Sequence, residues 1–172
     1  ERSENLLLNI LPSEIVEELK KKGSSTPRSF QSVTIMFTDF KGFTTISSTL
    51  PPEALVDELN DIYSNFDEIL KKYKMEKIKT LGDSYMVVSG LPIENKDHAI
   101  NCLKAAVEMQ EYLKKRNEIS PIKWQMRVGI HSGQVVAGIV GRTKFTYDVC
   151  GDAVNIAARM EQTGEAEKIN IS

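Results

Sequence analysis

The sequence predicts one α+β domain of the split β-α-β kind, a mixed sheet with helices packed on it. Three observations predict it. The chain has 172 residues, enough for one well-buried core and too few for two. Its apolar positions switch repeatedly between the alternation of strands and the 3.6-residue spacing of helices. The switches fall in the order β-α-β-β-α-β-β-α, a mixed arrangement of the split β-α-β kind.

Each element has its own signal along the chain. From Ser3 to Lys22, Leu7, Ile10 or Leu11, Ile15 and Leu19 recur at helical spacing, with Pro12 interrupting and Ser13 placed to cap the helix beyond it. This amphipathic segment either packs on its own domain or relays a signal from an upstream one. The Gly23–Ser29 stretch, rich in Ser, Thr and Pro, reads as a loop and boundary, dividing a linker over 1–29 from a catalytic-sized domain over 30–172. Ser32–Phe37 is a β-branched strand running into Thr38-Asp39-Phe40. Leu55, Leu59, Ile62, Phe66 and Ile69 form one stripe of a helix over Pro52–Lys72. Glu76–Thr80 and Ser84–Gly90 read as a hairpin turning at Leu81-Gly82-Asp83. A second helix covers Asp97–Arg116. Trp124–His131 and Gln134–Val140 read as another hairpin, turning at Ser132-Gly133. A last helix covers Asp152–Gln162.

Composition excludes several function classes. The net charge of −2 and pI near 5.8 leave no basic track for nucleic acid. The longest apolar run, Val135–Val140, is far too short to span a bilayer, and no signal-peptide pattern is present. Cys102 and Cys150 form no C-x-x-C pair, which argues against a disulfide scaffold or zinc site and fits a reducing cytoplasm. Because the chain starts at Glu1, it is expected to be a piece of a longer protein.

The chemistry-bearing residues fall into three groups. Asp39 ends an apolar strand just before Lys41-Gly42-Phe43-Thr44, the start of a helix, and Asp83 lies at the tip of the first hairpin. Carboxylates at a strand end beside a helix N-terminus suit a metal–phosphate site. From neighbouring strands they could hold two ions for in-line phosphoryl chemistry. Taken singly, each reads first as a cap of a turn or helix. Asn155 and Arg159 share one helix face; alone, Arg159 reads as a solvated residue or a partner for Glu161. Lys79 and Asp148 are a donor and an acceptor that could read a purine edge. His98 and His131 read as capping and turn residues, the Met residues as core filler and Cys102 as a buried small side chain. Gly141-Arg142-Thr143-Lys144 does not match a phosphate-binding P-loop.

Together these motifs resemble the class III adenylyl and guanylyl cyclases. Phe37–Thr44 is similar to that family's first metal motif and Lys77–Met86 to its second. Arg127–Gly133 resembles its central hairpin, Tyr147–Met160 its dimer-interface helix, and Asn9-Ile10-Leu11-Pro12 its leading linker. The resemblance implies an adenylyl cyclase making cyclic AMP and pyrophosphate from ATP with two divalent ions, Mg²⁺ or Mn²⁺. It implies Asp39, Asp83 and the Phe40 carbonyl as metal ligands, and Gly42, Phe43 and Thr44 as the triphosphate cradle. Lys79 and Asp148 would select the base; guanylyl members typically carry Glu and Cys there. Asn155 would orient the ribose and Arg159 would stabilise the transferring phosphate. Because the two sets come from opposite chains, a homodimer is implied, with the catalytic domain in the cytoplasm and a sensor or membrane domain upstream. Two departures stand out. The family continues past Ser172 through strands carrying a triphosphate-gripping Lys, and some members have Arg where Gln134 stands. A guanylyl cyclase, a non-catalytic cyclase-like module and a polymerase palm domain are the rival readings.

Overall fold

The computed structural model describes residues 6, 10–141 and 144–172. Leu7 and Asn9 of the leading segment, and Arg142 and Thr143 of the excluded phosphate loop, lie outside the described residues. The elements are α1 (Ser13–Lys22), β1 (Arg28–Phe40), α2 (Phe43–Thr49), α3 (Pro52–Lys72), β2 (Met75–Leu81), β3 (Ser84–Ser89), α4 (His98–Ile119), β4 (Met126–Val140), β5 (Thr146–Cys150), α5 (Asp152–Gln162) and β6 (Ile169–Ile171).

The strands form one mixed sheet in the order β2-β3-β1-β4-β5. The neighbours along this path are antiparallel, and β6 runs parallel to β4 beside it. Alternation along β1 sends its side chains to two separate cores. Met36 and Phe40 pack with Ile62, Phe66 and Leu70 of α3 and with Cys102, Ala106 and Met109 of α4. Val33 and Ile35 pack on the other face with Leu11, Ile15 and Val16 at α1, and with Ala153 and Ala157 of α5. Buried Met36, Met86, Met109 and Met126 fill these cores as expected. The leading helix therefore rests on the same sheet as the rest of the chain.

Several local expectations are corrected. The residues read as a second hairpin form the single 15-residue strand β4, which pairs with β1 from Met126↔Phe40 to Ala137↔Arg28. Ser132-Gly133 does not turn: the two residues sit opposite Thr34 and Val33 on β1, and a Cβ on Gly133 would come within 2.9 Å of the Ala153 Cβ. Its lack of a side chain serves helix packing, not a reversal. His131 is consequently mid-strand, its Nδ1 2.7 Å from Ser172 Oγ. Ser13 is the first residue of α1 and not its cap; Pro12 precedes the helix and its carbonyl accepts from the Ile15 and Val16 N–H groups. His98 does not cap its helix either. It ties α4 to β1, with Nδ1 2.6 Å from Thr34 Oγ1 and Nε2 3.0 Å from Ser32 Oγ. The short strands β5 and β6 had no counterpart in the sequence pattern, and β1 begins at Arg28, inside the stretch read as a loop.

Candidate active site

β1 and the β2–β3 turn bring the first two candidate carboxylates together. Antiparallel pairing of Leu81 with Ser84 leaves Gly82-Asp83 as a two-residue reversal, and Gly82 takes the φ of +60° that such a turn requires. Asp83 Oδ2 accepts from the Phe40 N–H at 3.3 Å, so the hairpin tip is fastened to the end of β1. Burial raises the Asp83 carboxyl above the usual range, and the negative charge of Asp39 adds to the rise. Two carboxylates that repel one another in this way form a natural seat for a cation.

Tyr63 of α3 supports the same turn from below. Its hydroxyl donates to the Gly82 carbonyl at 3.2 Å, and its ring stacks on Tyr85 at 5.1 Å between centroids. Burial and the charges of Asp83 and Asp39 keep its phenol protonated far above its usual pKa.

Behind Asp39 lies a bridge that sequence reasoning missed. Arg127, the register partner of Asp39 on β4, places Nη2 3.3 Å from Asp39 Oδ2 and Nε 3.4 Å from Glu161 Oε1. Glu161 is 6% exposed. Burial raises its carboxyl, the charge of Asp39 adds to this, and Arg127 opposes it. One signal was available: Glu161 falls at i+8 from Ala153 and i+4 from Ala157, on the buried stripe of α5. Arg159, offered as its partner, points away on the exposed side.

Asn155 and Arg159 are both exposed on that outer side of α5. Among the described residues neither bonds to Asp39, Asp83, Lys79 or Asp148. The structure thus joins the two carboxylates but leaves the Asn–Arg pair facing outward on the same chain. Lys79 of β2 and Asp148 of β5 do meet, with Nζ 3.3 Å from Oδ1, and Asp148 Oδ1 also accepts from the Val149 N–H at 2.8 Å. Gly42, at φ +70°, leads into α2, whose first inward bond runs from the Ile46 N–H to the Gly42 carbonyl. The N–H groups of Phe43 and Thr44 therefore belong to the helix's opening turn, where donors lack intrahelical partners. A cavity of about 580 Å³ under α1, lined by Glu14, Lys74 and Glu76 among others, contains none of these candidates.

The donor set fits a hard divalent ion. Asp39 and Asp83 offer carboxylate oxygens, and no cluster of three or more His, Cys, Asp or Glu residues forms a closed cage among the described residues. Mg²⁺ commonly takes one or two carboxylates and completes its shell with water and phosphate.

Residues 26–172 match the family described as the Adenylate and Guanylate cyclase catalytic domain. The receptor-type guanylate cyclase gcy-23 of Caenorhabditis elegans is 43% identical over 178 residues, covering 99% of this chain and 16% of that protein. The chain thus spans about a sixth of that relative. The guanylyl cyclase domain of the RhoGC fusion protein from Blastocladiella emersonii, solved as a non-canonical dimer, superposes with a TM-score of 0.80 at 35% identity, over 84% of this chain and 81% of that one. The adenylyl cyclase CyaB of P. aeruginosa gives 0.79 at 31% identity, over 86% and 79%. With the family match spanning nearly all of the described residues, the chain belongs to the adenylate and guanylate cyclase catalytic domain family.

Proposed function

We propose that this domain is an adenylyl cyclase that converts ATP into 3′,5′-cyclic AMP and pyrophosphate within a homodimer. The observation that carries the choice of base is the Lys79–Asp148 pair. Adenine offers an acceptor at N1 and a donor at its 6-amino group. Lys79 has only donors and ionised Asp148 only acceptors, so both adenine atoms find partners. Guanine has N1–H and O6 at the corresponding positions and would set donor against donor and acceptor against acceptor. Such a mismatch leaves these half-buried groups unpaired by the base and so discriminates against it. The specific observation favouring the second reading, a guanylyl cyclase, is that gcy-23 and the RhoGC domain are both named for guanylyl activity.

In the proposed reaction the ribose 3′-oxygen attacks the α-phosphate in line and pyrophosphate leaves. Asp39, Asp83 and the Phe40 carbonyl would hold two divalent ions, which supply charge neutralisation and a more acidic 3′-hydroxyl when bound. The Gly42–Thr44 turn cradles the triphosphate through backbone N–H groups. Arg159 meets negative charge as it develops at the α-phosphate, and Asn155 orients the ribose. Since Asn155 and Arg159 face outward, they serve a site completed by a second copy. A sensor or membrane domain upstream is part of the same proposal, and no helix among the described residues is long and apolar enough to cross a membrane.

The test is product formation from ATP and from GTP, with Mg²⁺ and with Mn²⁺, on this chain and on a form extended past Ser172. Cyclic AMP formation that is lost in Asp39→Ala supports the proposal. Faster turnover of GTP overturns the choice of base, and no cyclic nucleotide from either form favours a non-catalytic module.

A further inference from the structure

We infer that Glu161, acting through Arg127, holds Asp39 available to a cation by drawing the guanidinium partly away from it. The inference rests on the reading of Asp39 as a metal ligand. The geometry of the guanidinium carries it. An Arg facing one carboxylate can close a two-pronged ion pair. Here Nη2 donates to Asp39 Oδ2 at 3.3 Å, while Nε lies 3.4 Å from Glu161 Oε1 as an ion pair without hydrogen-bond alignment, so the guanidinium's charge is shared between the two carboxylates. Asp39 therefore accepts one hydrogen bond from Arg127, from Nη2 to Oδ2.

Burial makes the arrangement deliberate in physical terms. Glu161 stands where Ala157 and Ala153 stand one and two turns earlier, against the sheet, and a buried carboxylate is costly without a cation beside it. Arg127 is the cation paired with it. The helix cannot slide to relax the contact. A Cβ on Gly129 would lie 1.9 Å from the Glu161 backbone nitrogen, so α5 is seated directly on β4 two residues beyond Arg127. Without the Glu161 charge, the guanidinium would turn its whole fork to Asp39, and a metal ion would have to displace that closed pair. Glu161 is thus a positioning residue that acts on Asp39 through Arg127.

Mn²⁺ binding followed by electron paramagnetic resonance of the free ion tests this without relying on turnover. Glu161→Gln should weaken Mn²⁺ binding roughly tenfold or more, the scale of a hydrogen bond to a charged group. Glu161→Asp, which keeps the charge but draws it back, should fall between and serves as a second variant should Glu161→Gln fail to fold. Adding Arg127→Met to Glu161→Gln should restore affinity to within about threefold, because the competing cation is then gone. A Glu161 that only braces the helix would lower the unfolding temperature and leave Mn²⁺ affinity unchanged. That result, or a double variant no better than Glu161→Gln, overturns the inference while Asp39→Ala still abolishes binding. If Asp39→Ala binds Mn²⁺ as tightly as the unaltered chain, the metal-ligand reading itself fails.

Discussion

Lys79 and Asp148 pair at 3.3 Å between the strands β2 and β5. In the proposed reading a purine is selected by matching this donor and this acceptor together. Lys79→Glu with Asp148→Cys is expected to reverse the ATP/GTP preference, measured as the ratio of kcat/KM values, by about two orders of magnitude or more. Arg159→Ala is expected to lower kcat by roughly 10²–10³ with little change in nucleotide affinity, since its charge is called on as the transition state forms. At this scale the sequence was informative where function depends on local placement. Asp39 at a strand end and Asp83 at a hairpin tip stood out only as a pair, since either alone reads as a turn cap. Arg127 and Glu161 did not stand out, because their contact with Asp39 depends on the β1–β4 register and on where α5 crosses the sheet.

Helix α5 shows how a single element carries two jobs. Its Ala153–Ala157–Glu161 stripe seats on β4 at Gly133 and Gly129, while Asn155 and Arg159 project from the other side. Gly129→Ala is expected to destabilise the domain by on the order of 3 kcal/mol, because the new methyl meets helix backbone that cannot rotate away. Chemical denaturation measures this directly. The α1 side of the sheet gives a pH-dependent expectation. Burial, with the charge of Glu14 adding to it, raises the Glu76 carboxyl from 4.5 to about 7. The folded chain then holds a proton between those values that the unfolded chain has lost, so stability falls as pH rises through this window. Glu76→Gln should therefore stabilise the protein at pH 8 by roughly 1–3 kcal/mol and have little effect near pH 4, read from unfolding curves at the two pH values. The long helices α3 and α4 were legible because their stripes are regular. β4 was not, since Ser132-Gly133 carries a turn's residues for a packing reason, and β5 and β6 are too short for alternation to mark them.

The whole molecule keeps its two sets of catalytic candidates apart. Asp39 and Asp83 meet at one end of the sheet, whereas Asn155 and Arg159 face outward and bond to neither. A fold-level resemblance could suggest this division, but no spacing in the sequence could, because it concerns a second copy of the chain. The division has a direct consequence in a closed two-fold dimer, where each site draws one set from each chain. The decisive measurement mixes two variants, Asp39→Ala and Arg159→Ala, and follows cyclic AMP production from ATP. Each variant alone should be close to silent, and their equal mixture should recover about a quarter of the unaltered activity, since half the dimers are mixed and each mixed dimer keeps one intact site. A mixture as silent as its components, or full activity in either variant alone, would contradict a metal site and an Asn–Arg pair that act across two chains.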